Sequence, residues 1–559
     1  MREPLRLLFR TGLATLVATS LLLMERIPSS AHPARTGLSI LRLDYYVLPP
    51  AGPGTPSWAL DPVLDTSGGE QNTVALVQAN LIRLLPSGKP AADLATWKVS
   101  KNHLVYTFTI RRNARFSNGH DVTAQDAAFS LERALAPSTN SPVANPYLSL
   151  IRGASDYNAG KTKTLSGVKV LGRRTLQIVI TRPVAYFVAE LAYSTADVLD
   201  PSVVAGKPIG GPHDYLTNTC RANQGAGPFR FVCHDGSSNP HSFYSGHRPV
   251  YTLVPNPYYY GHKPHIEILL PQVQPTALAS YKLYLLGKLD SSALPAPYLN
   301  RWKGKKEYRP APSSRVTYLV PNTQSPPFDN LHCRLAVAYA VDRTTLAEKI
   351  LGGTERATYA VVPSGMLGYY PGKDNPHYSL SRARAALASC PSRTAPFSFK
   401  YVQGNIEDEA VANNLAAAGL NVRSTPLSGD DWVKVVSQPL DKTNTQLVTS
   451  AWNEDYPDPQ DYCTLLLHSG TPYNIGSWRD ATYDRLVDRA EVTLNRKERA
   501  QLYVQAQHIA LSQGAFISLT NAIRPGLLKP YVHGMVGSEW TEGFLPRDGD
   551  WANVSVSKH

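Results

Sequence analysis

The chain has 559 residues, room for two to four domains at about 100–200 residues each. Hydrophobic residues make up 43% and charged residues 18%, a balance that excludes wholesale disorder. The net charge of +13 is spread along the chain with no Lys/Arg run of about five to eight, which argues against a nucleic-acid binder.

The N-terminus reads as an export signal over residues 1–31. Arg2, Arg6 and Arg10 supply a basic opening, and residues 13–24 form a short apolar stretch closed by Glu25 and Arg26. Ser29, Ser30 and Ala31 offer the small residues of a cleavage site, so the mature chain is expected to begin at His32. The apolar run is shorter than the ~18–20 residues of a membrane span. No cysteine follows it to accept a lipid, so a protein free in a periplasm, or at or beyond the cell surface, is expected.

Residues 37–43 alternate weakly and predict an early strand. Helical spacing over 73–85 predicts a helix ending before Pro86. Residues 96–100 and 104–111 predict a hairpin, and 123–136 a helix with Thr123 as cap and Asp126 completing a capping box. Strands are expected at 167–171, 175–180 and 229–232, and a helix at 278–286. Beyond a strand at 316–321, a helix is expected from an Asp329 cap to Gly352, and another from Asn495 to Gly514. Interleaved strands and helices predict a mixed α/β chain.

Five cysteines are present. Cys220 and Cys233 flank the turn at Gly225–Pro228 and are candidates for a disulfide, worth about 3 kcal/mol in the chain-entropy picture. The odd count leaves at least one thiol free, and a second pair among Cys333, Cys390 and Cys463 stays unassigned.

The search for catalytic motifs returns no nucleophile elbow and no Walker A loop. Gly225-Ala226-Gly227 opens like a dinucleotide fingerprint, but Arg230 stands where the third glycine belongs. Between residues 213 and 265 lie His213, His234, His241, His247, His262 and His265, yet their spacing matches no compact metal site, and no metal is assigned. The densest acidic cluster runs from Glu454 to Asp461, with Asp455, Asp458 and the aromatics Trp452, Tyr456 and Tyr462. Carboxylates beside aromatics suit recognition of a cation such as an amine.

Several segments, in order, resemble the family 5 extracellular solute-binding proteins, the peptide- and nickel-binding receptors of ABC importers. They are Leu60-Asp61-Pro62; AADLATWKVS from Ala91; LVYTFTIRRNARFSNGHDVTAQDAAFSLER from Leu104; and GAGPFRF from Gly225. VPNPYY from Val254, PPFDNLHCRLAVAYAVDR from Pro326 and WNEDYPDP from Trp452 complete the series. The resemblance implies two lobes hinged around a cleft, with an extra domain inserted in the first. On that pattern the first lobe comprises 32–74, 183–312 and 523–559, the insert 75–182, and the second lobe 313–522. It implies a monomeric, non-catalytic receptor without cofactor that passes short peptides to a membrane permease. A metal chelate, an oligosaccharide or an amine metabolite would be the alternative cargo, and an exported hydrolase the more distant reading. It also implies that Asp455 pairs with the ligand ammonium, with Trp452, Asn453, Glu454 and Tyr456 as ligand-binding neighbours. The chain departs from the family pattern at Glu454, where a small residue is usual.

Overall fold

The computed structural model describes residues 38–46, 60–64, 68–210, 214–233, 251–274, 276–373, 375–537, 544–546 and 549–557. The expected signal segment and His213, His234, His241 and His247 lie outside them. The fold is mixed α/β in two lobes.

The first lobe holds two separate four-stranded sheets. In one, Ile40–Tyr46 runs parallel to Ile268–Gln274, with Leu253–Pro255 and Phe229–Phe231 added antiparallel. Leu41, Leu43, Phe229, Leu253 and Leu269 pack there against the C-terminal residues Trp551 and Val554. The other is an antiparallel sheet ordered Ala95–Val99, Val105–Ile110, Thr175–Val179, Val168–Gly172. Tyr106, Phe108 and Ile110 alternate onto its buried face, as a half-buried strand requires. The helix Ala124–Leu135 is tied to the same core. Its start is as read from sequence: Thr123 accepts from the Asp126 amide, and the Asp126 carboxylate accepts from the Thr123 amide.

The expected helix over 73–85 is shorter than its spacing suggested. The helix is Gly68–Val77, and Ile82–Leu84 is a strand paired with Pro90–Ala92. Other segments take the carbonyls that a continuing helix would need. The Val77 carbonyl accepts from Gly227, Ala79 from Val198 and Asn80 from Leu94. Two glycines allow that approach: a Cβ on Gly225 would lie 2.0 Å from the Val77 oxygen, and one on Gly227 2.6 Å from the Gln78 oxygen. The Gly-Ala-Gly turn is thus a close backbone contact that fixes residues 77–80.

A seven-stranded sheet is ordered Ser291–Ala293, Ile517–Leu528, Tyr308–Pro321, Leu447–Trp452, Phe397–Val402, Val422–Leu427, with Glu355–Ala357 also paired to Ile517–Leu528. Alternate residues feed two helical layers. Val316, Tyr318, Val320 and Val448 face the helices Gln460–Leu467, Ala481–Val492 and Arg496–Ser512. Leu319, Leu447 and Phe399 face Leu331–Ala340 and Ile406–Ala417. The helix expected from Asp329 to Gly352 is capped instead by Asn330 and stops at Ala340, after which Asp342 starts a separate turn. Asn495 caps Arg496–Ser512 by accepting from Lys497 and Glu498.

The two longest strands, Tyr308–Pro321 and Ile517–Leu528, reach from one lobe to the other. Their pairing register shifts between Pro312 and Val316, opposite Ile523 and Asn521. Cys220 is bonded to Cys233 and Cys333 to Cys390, leaving Cys463 buried as a thiol.

Candidate functional site

The acidic loop leaves the C-terminal end of the strand Leu447–Trp452 and re-enters the helix Gln460–Leu467. Asp461, in the first turn of that helix, folds the loop back. Its Oδ2 accepts from the Trp452 indole at 3.1 Å and from the Asp455 amide at 2.9 Å. Asp458 accepts both guanidinium arms of Arg499, at 2.6 and 2.5 Å, so the middle of the loop is clamped to the helix Arg496–Ser512.

This loop meets the first lobe. The Tyr147 hydroxyl donates to Asp455 Oδ2 across 308 positions of sequence. Tyr456 is buried in the core of the first-lobe antiparallel sheet and its helices, the only second-lobe residue of that cluster among the described residues. It stacks on Tyr186 at 5.8 Å and meets Tyr147 edge-on at 6.2 Å. Arg182 forms an ion pair with Glu491, and Arg499 lies over the Tyr186 ring at 5.8 Å. Glu190 is buried at the same seam with Oε2 lacking any partner among the described residues, and burial holds it well above the usual carboxylate range.

Beside the seam is a cavity of about 240 Å³. Asp455 forms part of its wall; Gln78, Asn80, Asp93, Tyr193 and Asp197 are among the first-lobe residues in the rest. The Tyr193 ring stacks on Tyr147 at 4.4 Å, and the Asn80 amide group donates to the Tyr193 carbonyl at 3.0 Å. Asp455 is half-buried in this wall. Burial pushes its carboxyl up to about 6, opposed by the Tyr147 hydroxyl, and pushes Asp461 well above the usual range.

Of the five loop residues picked from sequence, Asp455 alone is in the cavity wall. The Trp452 ring packs edge-on against Tyr473 at 5.4 Å and spends its N–H on Asp461, so it supports the loop and does not wall this cavity. Asn453 is exposed and accepts from Arg524 at 3.4 Å. Glu454 faces Tyr462 and the Ser314 carbonyl. The Tyr462 hydroxyl gives its single proton to Ser314 at 2.6 Å and stands 3.1 Å from Glu454. That second contact is satisfied when Glu454 carries its own proton, and burial pushes Glu454 up to about 8. Tyr456 is a plug between the lobes. Tyr147, Asn80, Tyr193 and Asp197 carry no motif in the sequence, whereas Asp93 sits inside the segment AADLATWKVS without a role. Among the described residues no group of three or more His, Cys, Asp or Glu side chains is placed to hold a metal ion. No helix among them is long and apolar enough to cross a membrane.

Residues 89–474 match the family described as bacterial extracellular solute-binding proteins, family 5. The chain belongs to this family. It is 26% identical over 439 residues to the probable D,D-dipeptide-binding periplasmic protein DdpA of Escherichia coli strain K12, covering 76% of this chain and 78% of that one. It is 27% identical over 496 residues to the probable deoxycholate-binding periplasmic protein YgiS of the same strain, covering 84% and 88%. Its fold superposes on Listeria monocytogenes OppA bound to peptide with a TM-score of 0.74 at 22% identity, over 94% of this chain and all of that one. Family 5 membership makes it a solute-binding protein.

Proposed function

We propose that this family 5 protein captures short peptides outside the cytoplasm and delivers them, as a monomer, to the permease of an ABC importer. The observation that carries the reading is Asp455. It is a carboxylate in the wall of a cavity between the lobes, held by a hydroxyl of the opposite lobe, and no cation faces it among the described residues. A peptide α-ammonium supplies the missing charge and up to three donors, and a charge-assisted bond of this kind is worth roughly 1.5–3 kcal/mol. The cavity is small beside the ~300–1,000 Å³ common for ligand pockets, which favours a ligand of very few residues. The peptide-binding names of DdpA and OppA support the same reading.

The lobes would part about the register shift at Pro312–Val316 and its partner segment Asn521–Ile523. On this reading the second lobe covers 313–522, the first-lobe insert 75–182, and the chain returns to the first lobe from 523. Binding rather than hydrolysis fits the loop, because Glu454 and Asp455 face different surroundings and do not form an acid/base pair.

Native mass spectrometry of the protein purified without denaturation tests the reading. Adducts differing by amino-acid residue masses, lost in Asp455→Asn, are expected. A single defined adduct of other chemistry, kept in that variant, would overturn it.

A further inference from the structure

The cavity wall contains a second acid that faces no cation among the described residues. Asp197 is 8% exposed and lines the same cavity as Asp455. It takes a hydrogen bond from Asn80, and the nearest charge acting on it is the like charge of Asp93; burial holds it well above the usual carboxylate range. Asp93, the third acid of the wall, is differently placed. The Tyr260 hydroxyl donates to it, and the guanidinium groups of Arg83 and Arg111 act on it. Arg83 also lines the cavity, but it donates to the Gly549 carbonyl at 2.6 Å and its charge is set against Asp93. Asp93 is therefore compensated, whereas Asp455 and Asp197 face no ammonium or guanidinium among the described residues.

Two acids of one wall without a cation among the described residues call for donors. Ammonium and guanidinium groups have donors only.

We propose, building on the peptide reading above, that the cavity selects a dicationic ligand: a short peptide whose α-ammonium pairs with Asp455 and whose lysine or arginine side chain pairs with Asp197. The overall positive charge of the chain gives no such preference, because the selectivity resides in the acids of one wall.

Isothermal titration calorimetry of the full mature protein at neutral pH tests this. The probes are lysyl-alanine and alanyl-lysine, each compared with its norleucine counterpart, which keeps the length of the side chain and drops its charge. At one position or the other, the lysyl peptide should bind at least about tenfold more tightly than the norleucyl one. In Asp197→Asn that ratio should fall to about one. The comparison in the unmodified protein stands even if the variant folds poorly. Equal affinity for lysyl and norleucyl peptides overturns the proposal and leaves the peptide reading intact, as does a preference that survives in Asp197→Asn. Failure to bind any of the four peptides overturns the peptide reading and this proposal with it.

Discussion

Asp455 and Asp458 stand three residues apart on one loop and have opposite surroundings. Asp458 is buried and receives both arms of Arg499, itself held by the Ala490 carbonyl at 3.1 Å. Asp455 receives only a tyrosine hydroxyl, from the other lobe, and opens on a cavity. The first is a clamp within one lobe. The second faces no cation among the described residues, at the place where the lobes meet. On the proposed function, stability and binding are divided between neighbouring acids of the same motif, and substitutions should separate them.

The largest effect is expected from Arg499→Ala. Removing one partner of a buried pair leaves Asp458 uncompensated, at a cost of about 3–5 kcal/mol. Chemical unfolding should show a stability loss of that order. Asp455→Asn should leave the ligand-free protein at least as stable as the original, because it removes a desolvated charge with no cation. Equal losses in both variants would break the comparison.

Next comes the effect of acid on binding. On the proposed function an ammonium is held by ionised Asp455, whose carboxyl is raised to about 6 by burial. Affinity for an unblocked peptide should weaken as pH falls below about 6, approaching tenfold per pH unit. A titration series at several pH values checks this, and Asp455→Asn should flatten the profile.

Tyr147→Phe should have a smaller effect. It deletes the cross-lobe hydroxyl and keeps the ring stacked on Tyr193. Peptide affinity should drop severalfold with little change in unfolding, and small-angle scattering should show a larger share of open molecules.

The smallest effect concerns ligand-free stability. Glu454 is raised to about 8 against an ordinary value near 4.5. As pH rises through that window the unfolded chain releases the proton first, so the stability that protonated Glu454 contributes is present at low pH and lost by about pH 8. Asp455 acts in the same direction up to about 6. Thermal unfolding between pH 5 and 8 should show this decline, and Glu454→Gln should reduce it.

Much of the local structure was legible in the sequence, because its determinants are local. Thr123 with Asp126, and Asn495 with Glu498, mark helix starts through contacts two or three residues away. The hairpin of 95–110 shows in its alternation. Asp455 stood out through an acidic, aromatic loop and a family resemblance. What was illegible depends on distant partners. Residues 78–84 have helical spacing, but strands and a glycine turn from elsewhere claim their carbonyls. Trp452 reads as a cavity aromatic until Asp461 is seen to take its N–H. Tyr147 and Asp197 carry no local signal, since what makes them matter is the other lobe or the shared cavity wall.

The central claim is that Asp455 holds an α-ammonium. Calorimetric titration with lysyl-alanine and its Nα-acetyl derivative tests it most directly. The account predicts that acetylation weakens binding to the unmodified protein by at least about tenfold and has little effect in Asp455→Asn. Equal binding of the blocked and unblocked peptides by the unmodified protein would contradict it.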